Sequence, residues 1–248
     1  MKWLKTLKVF VWIIISLFIF VGSVSFFLAP PVWYFSDADA YSKLKLKHNP
    51  KSPEWVQISE VSKHFIHAAI IAEDSHFYNH HGVDFDQTVK SIKLNLESGK
   101  IVRGGSTITQ QLIKNTFFSS KKSYIRKAKE LLGSLLVERY LSKKEILEWY
   151  VNNIHFGQGV DGIKEAASFY AQTSPQLLTI EDSIKLALIL PNPDSRSKSF
   201  RHETLGEFDK KRYRLILKGM FEAGYITEQQ RTNSLLTGDF GRPLEDKP

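Results

Sequence analysis

Two adjacent carboxylates, Glu73 and Asp74, end the apolar run of the stretch AAIIAEDSHFYNHHG, residues 68–82, and open onto three histidines. An acid at the C-terminal end of an apolar helix is disfavoured in its charged form, by desolvation and by the negative end of the helix dipole. A pKa raised in this way suits a general base working near neutral pH. The other reading is an ordinary solvated acid ending a core helix, and both stay open on this stretch alone. His76, His80 and His81, with Asp84 and Asp86, have the donor chemistry of a metal site. No HExxH pattern accompanies them and the acids follow a glycine turn, so structural, hydrogen-bonding histidines are expected instead.

A second stretch, RGGSTITQQLIKN at residues 103–115, sets two glycines before a helix start. Free N–H groups there, beside the Ser106 and Thr107 hydroxyls, form a phosphate-binding end, with Lys114 and Asn115 about two turns along. A glycine loop capping an ordinary helix is the plainer reading. The GxxxxGK[ST] spacing is missing, which disfavours nucleotide binding. In the third stretch, RKAKE at 126–130, Arg126, Lys127 and Glu130 share a helical face and could hold a phosphate near a second acid. A solvated ion pair is the commoner meaning of that spacing. Phe117 and Phe118 beside Lys121 and Lys122 suit either an interfacial membrane contact or a core.

The elements that must position these residues are helical. Val61, Phe65, Ala68, Ala69 and Ala72 recur at helical steps, predicting a helix over 59–72, and a second spans 86–96 and stops at Gly99. Thr107 and Gln110 have capping-box spacing for a third. A fourth, 125–140, carries an apolar stripe of Ala128, Leu131, Leu132, Leu135 and Leu136. Ser142 and Glu145 open the next, and further helices fit 162–170, 181–190, 210–222 and 228–236. The fold class is mainly α, in one domain at 55–236, followed by a tail at 237–248.

The chain has 248 residues, 42% hydrophobic and 24% charged, which suits a folded domain rather than disorder. Its net charge of +8 points to an anionic partner, and the lack of cysteine rules out thiol chemistry and disulfides. Val9 to Ala29 holds no charge, and as a helix would span about 31 Å, the depth of a bilayer core. Lys2, Lys5 and Lys8 precede it. The expectation is an uncleaved single-pass anchor at 9–29, with residues 1–8 in the cytoplasm and the rest outside the cytoplasmic membrane. Residues 30–54, punctuated by Pro30, Pro31, Pro50 and Pro53, read as a connector.

Taken together, the motifs resemble those of the peptidoglycan glycosyltransferase family, the transglycosylase module of class A penicillin-binding proteins and their monofunctional relatives. EDSHFYNHHG fits EDxxFxxHxG; GGSTITQQ at 104–111 fits the second motif in full; RKAKE fits RKxxE. KKEILEWYVN at 143–152 fits KxxILExYLN with Val151 for leucine, and RYRLIL at 212–217 resembles RxxxVL with Ile216 for valine. The likeness covers about 55–220, and five motifs in order are far more specific than one. His76 stands where arginine is common, and LPNPDSRSKS at 190–199 is shorter and more polar than usual. Ending at residue 248 leaves no room for a transpeptidase domain, so a monofunctional enzyme or a fragment is expected.

The resemblance implies a two-lobed, lysozyme-like helical fold and the polymerisation of lipid II into glycan strands, with inversion and loss of undecaprenyl pyrophosphate. It makes Glu73 and Glu130 the catalytic acids, Glu73 as the base and Glu130 either assisting at the donor site or positioning the pyrophosphate. It makes Asp74, Phe77, Gly105, Ser106, Thr107, Gln110, Gln111, Lys114, Asn115, Lys122, Arg126 and Lys127 substrate-binding. Lys122 often has arginine in its place. The implied cofactor is a divalent cation, magnesium or manganese, bridging the substrate's pyrophosphate, with no protein ligand set and no organic cofactor. The implied partners are lipid II, the growing glycan, the membrane and other cell-wall synthesis or division proteins, not nucleic acid. Two rivals remain: a muralytic enzyme, which would not need the pyrophosphate-binding set, and a non-catalytic membrane-anchored scaffold, which would tolerate loss of Glu73 and Glu130.

Overall fold

Side chains placed three residues apart decide where most helices begin. In a computed structural model, which describes residues 12, 16, 29–44, 46–99, 104–118, 123–199 and 205–237, Thr107 and Gln110 exchange reciprocal side-chain bonds at the start of one helix. Ser142 and Glu145 do the same at another, as does the pair Thr179 and Asp182. Each box satisfies two N–H groups that a helix end would otherwise leave bare. The described α-helices are α1 (Lys63–Glu73), α2 (Phe85–Ser98), α3 (Ile108–Phe117), α4 (Tyr124–Tyr140), α5 (Lys143–Asn153) and α6 (Ile163–Ala171). They continue with α7 (Ile180–Ile189), α8 (Pro193–Ser199), α9 (Glu207–Glu222) and α10 (Glu228–Thr237). Among the described residues there is no strand, only an isolated bridge between His155 and Asp161.

The chain is therefore mainly helical, as expected, with three local differences. The helix expected over 59–72 is split into a 3-10 turn, Ile58–Glu60, and α1. Ser62 separates them because its N–H and hydroxyl donate to the Pro175 and Leu178 carbonyls, pulling the backbone out of the helix. The short polar helix α8 was not expected from its composition. The stripe expected to bury α4 is not its inner face: Ala128 is exposed and Leu131, Leu132, Leu135 and Leu136 are half-buried, while Glu130, Gly133, Ser134 and Val137 are buried. Gly133 explains the choice. A Cβ there would lie 2.7 Å from Pro30 and 2.8 Å from Ile113, so the missing side chain lets α4 approach α3 and the chain's entry segment closely.

Two apolar clusters form the interior. The larger gathers Phe65 and Ile70 of α1, Ile108, Leu112 and Ile113 of α3, Ile146 and Trp149 of α5, and Ile163 of α6. The smaller joins Ala68 of α1 and Ile184 and Leu188 of α7 to Tyr213, Ile216, Leu217 and Met220 of α9. Helices α1 and α7 pack along each other and feed both clusters, so the C-terminal end of α1 emerges where the two meet.

Residues 30–54, read as a connector, also build this core. Phe35 and Tyr41 stand edge-on to Trp149 at 4.9 and 5.3 Å, and Trp55, the first residue after the segment, does the same at 4.9 Å. Asn152 pairs with both backbone groups of Val56, and Asn153 with both of His48, as a neighbouring strand would. Lys122 and residues 238–248 lie outside the described residues, as do Val9 to Ala29 apart from residues 12, 16 and 29. No helix among the described residues is long and apolar enough to cross a membrane.

Candidate active site

Glu73 is the last residue of α1, and the turn after it is built to hold it at a cleft. Asp74, next in the chain, points inward: its Oδ2 accepts the Ile108 N–H at 3.0 Å and its carboxylate faces His80 Nε2 at 3.0 and 3.1 Å. That ties the end of α1 to the start of α3. Gly82 makes a second tie, its carbonyl accepting the Thr107 hydroxyl at 2.7 Å. Its φ is +85° and a Cβ there would lie 2.3 Å from the Ser134 carbonyl oxygen, so only glycine fits between α3 and α4.

The adjacent acids thus have different fates. Asp74 is buried and satisfied; Glu73 is half-buried at the cleft, with Oε2 accepting from Gln111 Nε2 at 2.7 Å. Burial pushes the Glu73 carboxyl above its ordinary value. The Gln111 hydrogen bond and the positive charges of Arg212 and Lys114 oppose that rise, and Asp74 adds to it. Gln111 in turn accepts the Tyr150 hydroxyl hydrogen on Oε1 at 3.3 Å.

The cleft has two adjoining halves, of about 570 and 630 Å³, that share Gln111, Lys114, Leu190 and Pro191. One half is lined by Glu73, Asp74, Gly105, Ser106, Thr107 and Arg212; the other by Asn115, Arg126, Tyr150 and His155. Lys114 stands where the halves meet. Burial lowers its pKa, helped by Arg126 and Lys127, while Glu130 and Glu73 hold its proton. Arg212 is lowered too, by burial and by Arg196. An anion entering the cleft would relieve both.

Glu130 lies buried behind this wall, 2.9 Å from Arg126 Nε and 3.2 Å from Lys127 Nζ. Lys127 also donates to the Ser106 hydroxyl at 2.9 Å, linking the RKAKE face to the glycine loop. The face expected to carry Arg126, Lys127 and Glu130 is therefore real, with Glu130 an internal counter-ion that spaces two cations.

The structure brings Glu73, Gly105, Ser106, Gln111, Lys114, Asn115 and Arg126 together at the cleft. Phe77 is fully buried under the Lys143 ammonium, 4.3 Å from the ring centroid, and Gln110 is spent on the α3 capping box; neither lines the cleft. Phe117 packs edge-on to Phe35 in the main cluster. His76 and His80 bond Asp84 and Asp74, the structural roles expected of them. Among the described residues no group of three or more acidic or histidine side chains could hold a metal ion. Arg212 and Tyr150 were not picked out from sequence as site residues, although RYRLIL and KKEILEWYVN contain them.

Comparison with known proteins agrees with the motif content. A family model described as Transglycosylase matches residues 40–221. A "Biosynthetic peptidoglycan transglycosylase" of Acinetobacter baumannii (strain SDF) is 36% identical over 194 residues, covering 73% of this chain and 85% of the relative. Relatives of the same description include one from Cupriavidus metallidurans, 40% identical over 164 residues, covering 66% of this chain and 65% of the relative. Another, from Herminiimonas arsenicoxydans, is 36% identical over 202 residues, covering 78% and 87%.

Proposed function

The chain belongs to the transglycosylase family, whose members are glycosyltransferases of peptidoglycan synthesis, and on that premise we propose that it polymerises lipid II at the outer face of the cytoplasmic membrane. The observation that carries this is the pairing of one raised-pKa carboxylate with a row of cations across a continuous cleft. The half holding Glu73 takes the acceptor, a lipid-linked disaccharide. The half holding Asn115 and Arg126 takes the growing chain, the donor.

Glu73 removes the proton from the acceptor sugar's 4-hydroxyl, and that oxygen attacks C1 of the donor sugar. The bond from C1 to the pyrophosphate oxygen breaks on the opposite face, which inverts the centre and releases undecaprenyl pyrophosphate. Lys114, Arg126 and Lys127 balance the charge that grows on the leaving group, fixed in place before the reaction starts. Arg212 faces Glu73 and the acceptor half. Ser106 and the glycine loop bring hydroxyl and backbone donors to the substrate's phosphates. A divalent cation would bind through those phosphates; the described side chains offer it no ligand set, and each step above runs through the chain's own groups.

The two apolar clusters that meet at the cleft support a lysozyme-like, two-lobed arrangement. Membrane attachment rests on the uncharged run Val9 to Ala29 and on α2, where Phe85, Val89, Ile92 and Leu96 form an exposed apolar stripe suited to a bilayer surface.

The test mixes detergent-solubilised full-length protein with lipid II and magnesium, resolves the products by size, and runs Glu73→Gln in parallel. Long glycan from the wild type and none from the variant is expected. Untouched lipid II with cleavage of preformed glycan would establish a muralytic enzyme instead. No reaction in either direction from folded protein would indicate a scaffold.

A further inference from the structure

Tyr150 sits on α5 with its side chain almost wholly buried, and among the described residues its hydroxyl has one hydrogen-bond partner, Gln111 Oε1 at 3.3 Å. The other end of the same amide donates to Glu73 Oε2 at 2.7 Å. Three residues from α5, α3 and α1 therefore form a relay that ends on the carboxylate placed to act as the base.

An amide has two unlike ends, and which one faces Glu73 has chemical consequences. With NH₂ toward the acid, the bond favours the ionised carboxylate. Turned over, the amide would set its oxygen 2.7 Å from a carboxylate oxygen, a contact of two acceptors that survives only if Glu73 carries a proton. The flip is thus coupled to proton uptake by the base. A phenol has one hydrogen to donate, and in a buried site that hydrogen must find an acceptor. Tyr150 finds it in Gln111 Oε1. In the flipped state the phenol oxygen could accept from NH₂, but its own hydrogen would be left without a partner.

We propose that Tyr150 is a positioning residue for the reaction: it fixes the Gln111 amide with NH₂ on Glu73 and so keeps Glu73 in the form that can take a proton. This rests on Glu73 being the base, as proposed above. The other charges that face Glu73 are Asp74 from its own turn, Lys114 from α3 and Arg212 from α9, and none of them distinguishes one amide orientation from the other by a bond. Burial of the phenol itself, reinforced by Glu73 and Asp74, drives its pKa well above the usual tyrosine value, so it stays a donor throughout the working pH range.

The test compares wild type with Tyr150→Phe, which keeps the ring and removes only the donor. In full-length protein carrying ¹³C-labelled glutamate side chains, the Glu73 carboxyl signal is identified by its loss in Glu73→Gln and titrated from pH 4 to 9. A higher Glu73 midpoint in Tyr150→Phe is expected, and Tyr150→Phe added to Gln111→Met should produce no further shift. Lipid II polymerisation should show the same displacement in the acidic limb of kcat, with KM within about twofold; each pH unit of displacement is about a tenfold loss at low pH, recovered at high pH. Equal midpoints in the two proteins would overturn the proposal, as would a loss of rate uniform across pH. Absence of polymerisation by the wild type would count against the function proposed above, while the carboxyl titration would still decide the role of Tyr150.

Discussion

The Asp74 carboxylate accepts the backbone N–H of Ile108 at 3.0 Å, joining the acid beside the proposed base to the first turn of α3. Two neighbouring carboxylates are thus put to opposite uses: one is spent holding two helices together, and the other is left free to react.

Because Asp74 is buried and serves both Ile108 and His80, Asp74→Ala should leave a helix N–H and an imidazole without their partner. The expected cost is about 2 kcal/mol of folding stability. Urea denaturation at pH 7 measures it, and an unchanged midpoint would contradict the structural role.

Glu73→Gln should abolish polymerisation, a loss on the order of 10²–10⁴-fold for a general base. It should also make the protein more stable at neutral pH, by about 1 kcal/mol. The raised pKa means that the folded state binds the Glu73 proton more tightly than the unfolded chain does. Stability therefore falls as pH rises from the ordinary carboxylate range through the raised folded value, and is level above it. The wild type minus variant difference in urea melts between pH 4 and 8 should trace that fall.

Glu130 is the buried counter-ion of Arg126, which is partly exposed, and of Lys127, which reaches solvent. Glu130→Gln should cost about 1 kcal/mol, because the cations it leaves without a counter-ion are screened by solvent. It should also lower the Lys114 pKa further, since Glu130 is the largest of the charges holding that proton. The alkaline limb of activity would then move toward neutral pH, which a rate profile from pH 7 to 10 would reveal.

Gly82→Ala should fail to fold or lose about 3 kcal/mol or more, because the added methyl meets a backbone oxygen at a positive φ and neither can give way. The Thr107 cap depends on the Gly82 carbonyl and would be disturbed with it. A thermal melt monitored by circular dichroism decides this.

The candidate site was legible where its signal is local. Thr107 with Gln110 and Ser142 with Glu145 mark helix starts because the bonds they make span three residues. The apolar lead-in to Glu73 likewise told of a helix ending on an acid. Arg212 and Tyr150 lie within RYRLIL and KKEILEWYVN, yet nothing near them in sequence points at Glu73. Their partners lie on other helices: Gln111 is 39 residues from Tyr150.

By itself the sequence determined the helical class, most helix positions and the motif set that places the chain in its family, because periodicity, capping and motif spacing are properties of neighbouring residues. Tertiary structure decided what packing alone can decide. It turned Glu130 rather than the leucines of α4 inward, because Gly133 admits Pro30 and Ile113 and the two cations offset the acid's burial. It made the proline-rich segment part of the core, because Phe35 and Tyr41 find their surface in Trp149, more than a hundred residues away. It also separated Glu73 from Asp74 in role, since only the arrival of α3 supplies the N–H that satisfies one and the amide that tunes the other.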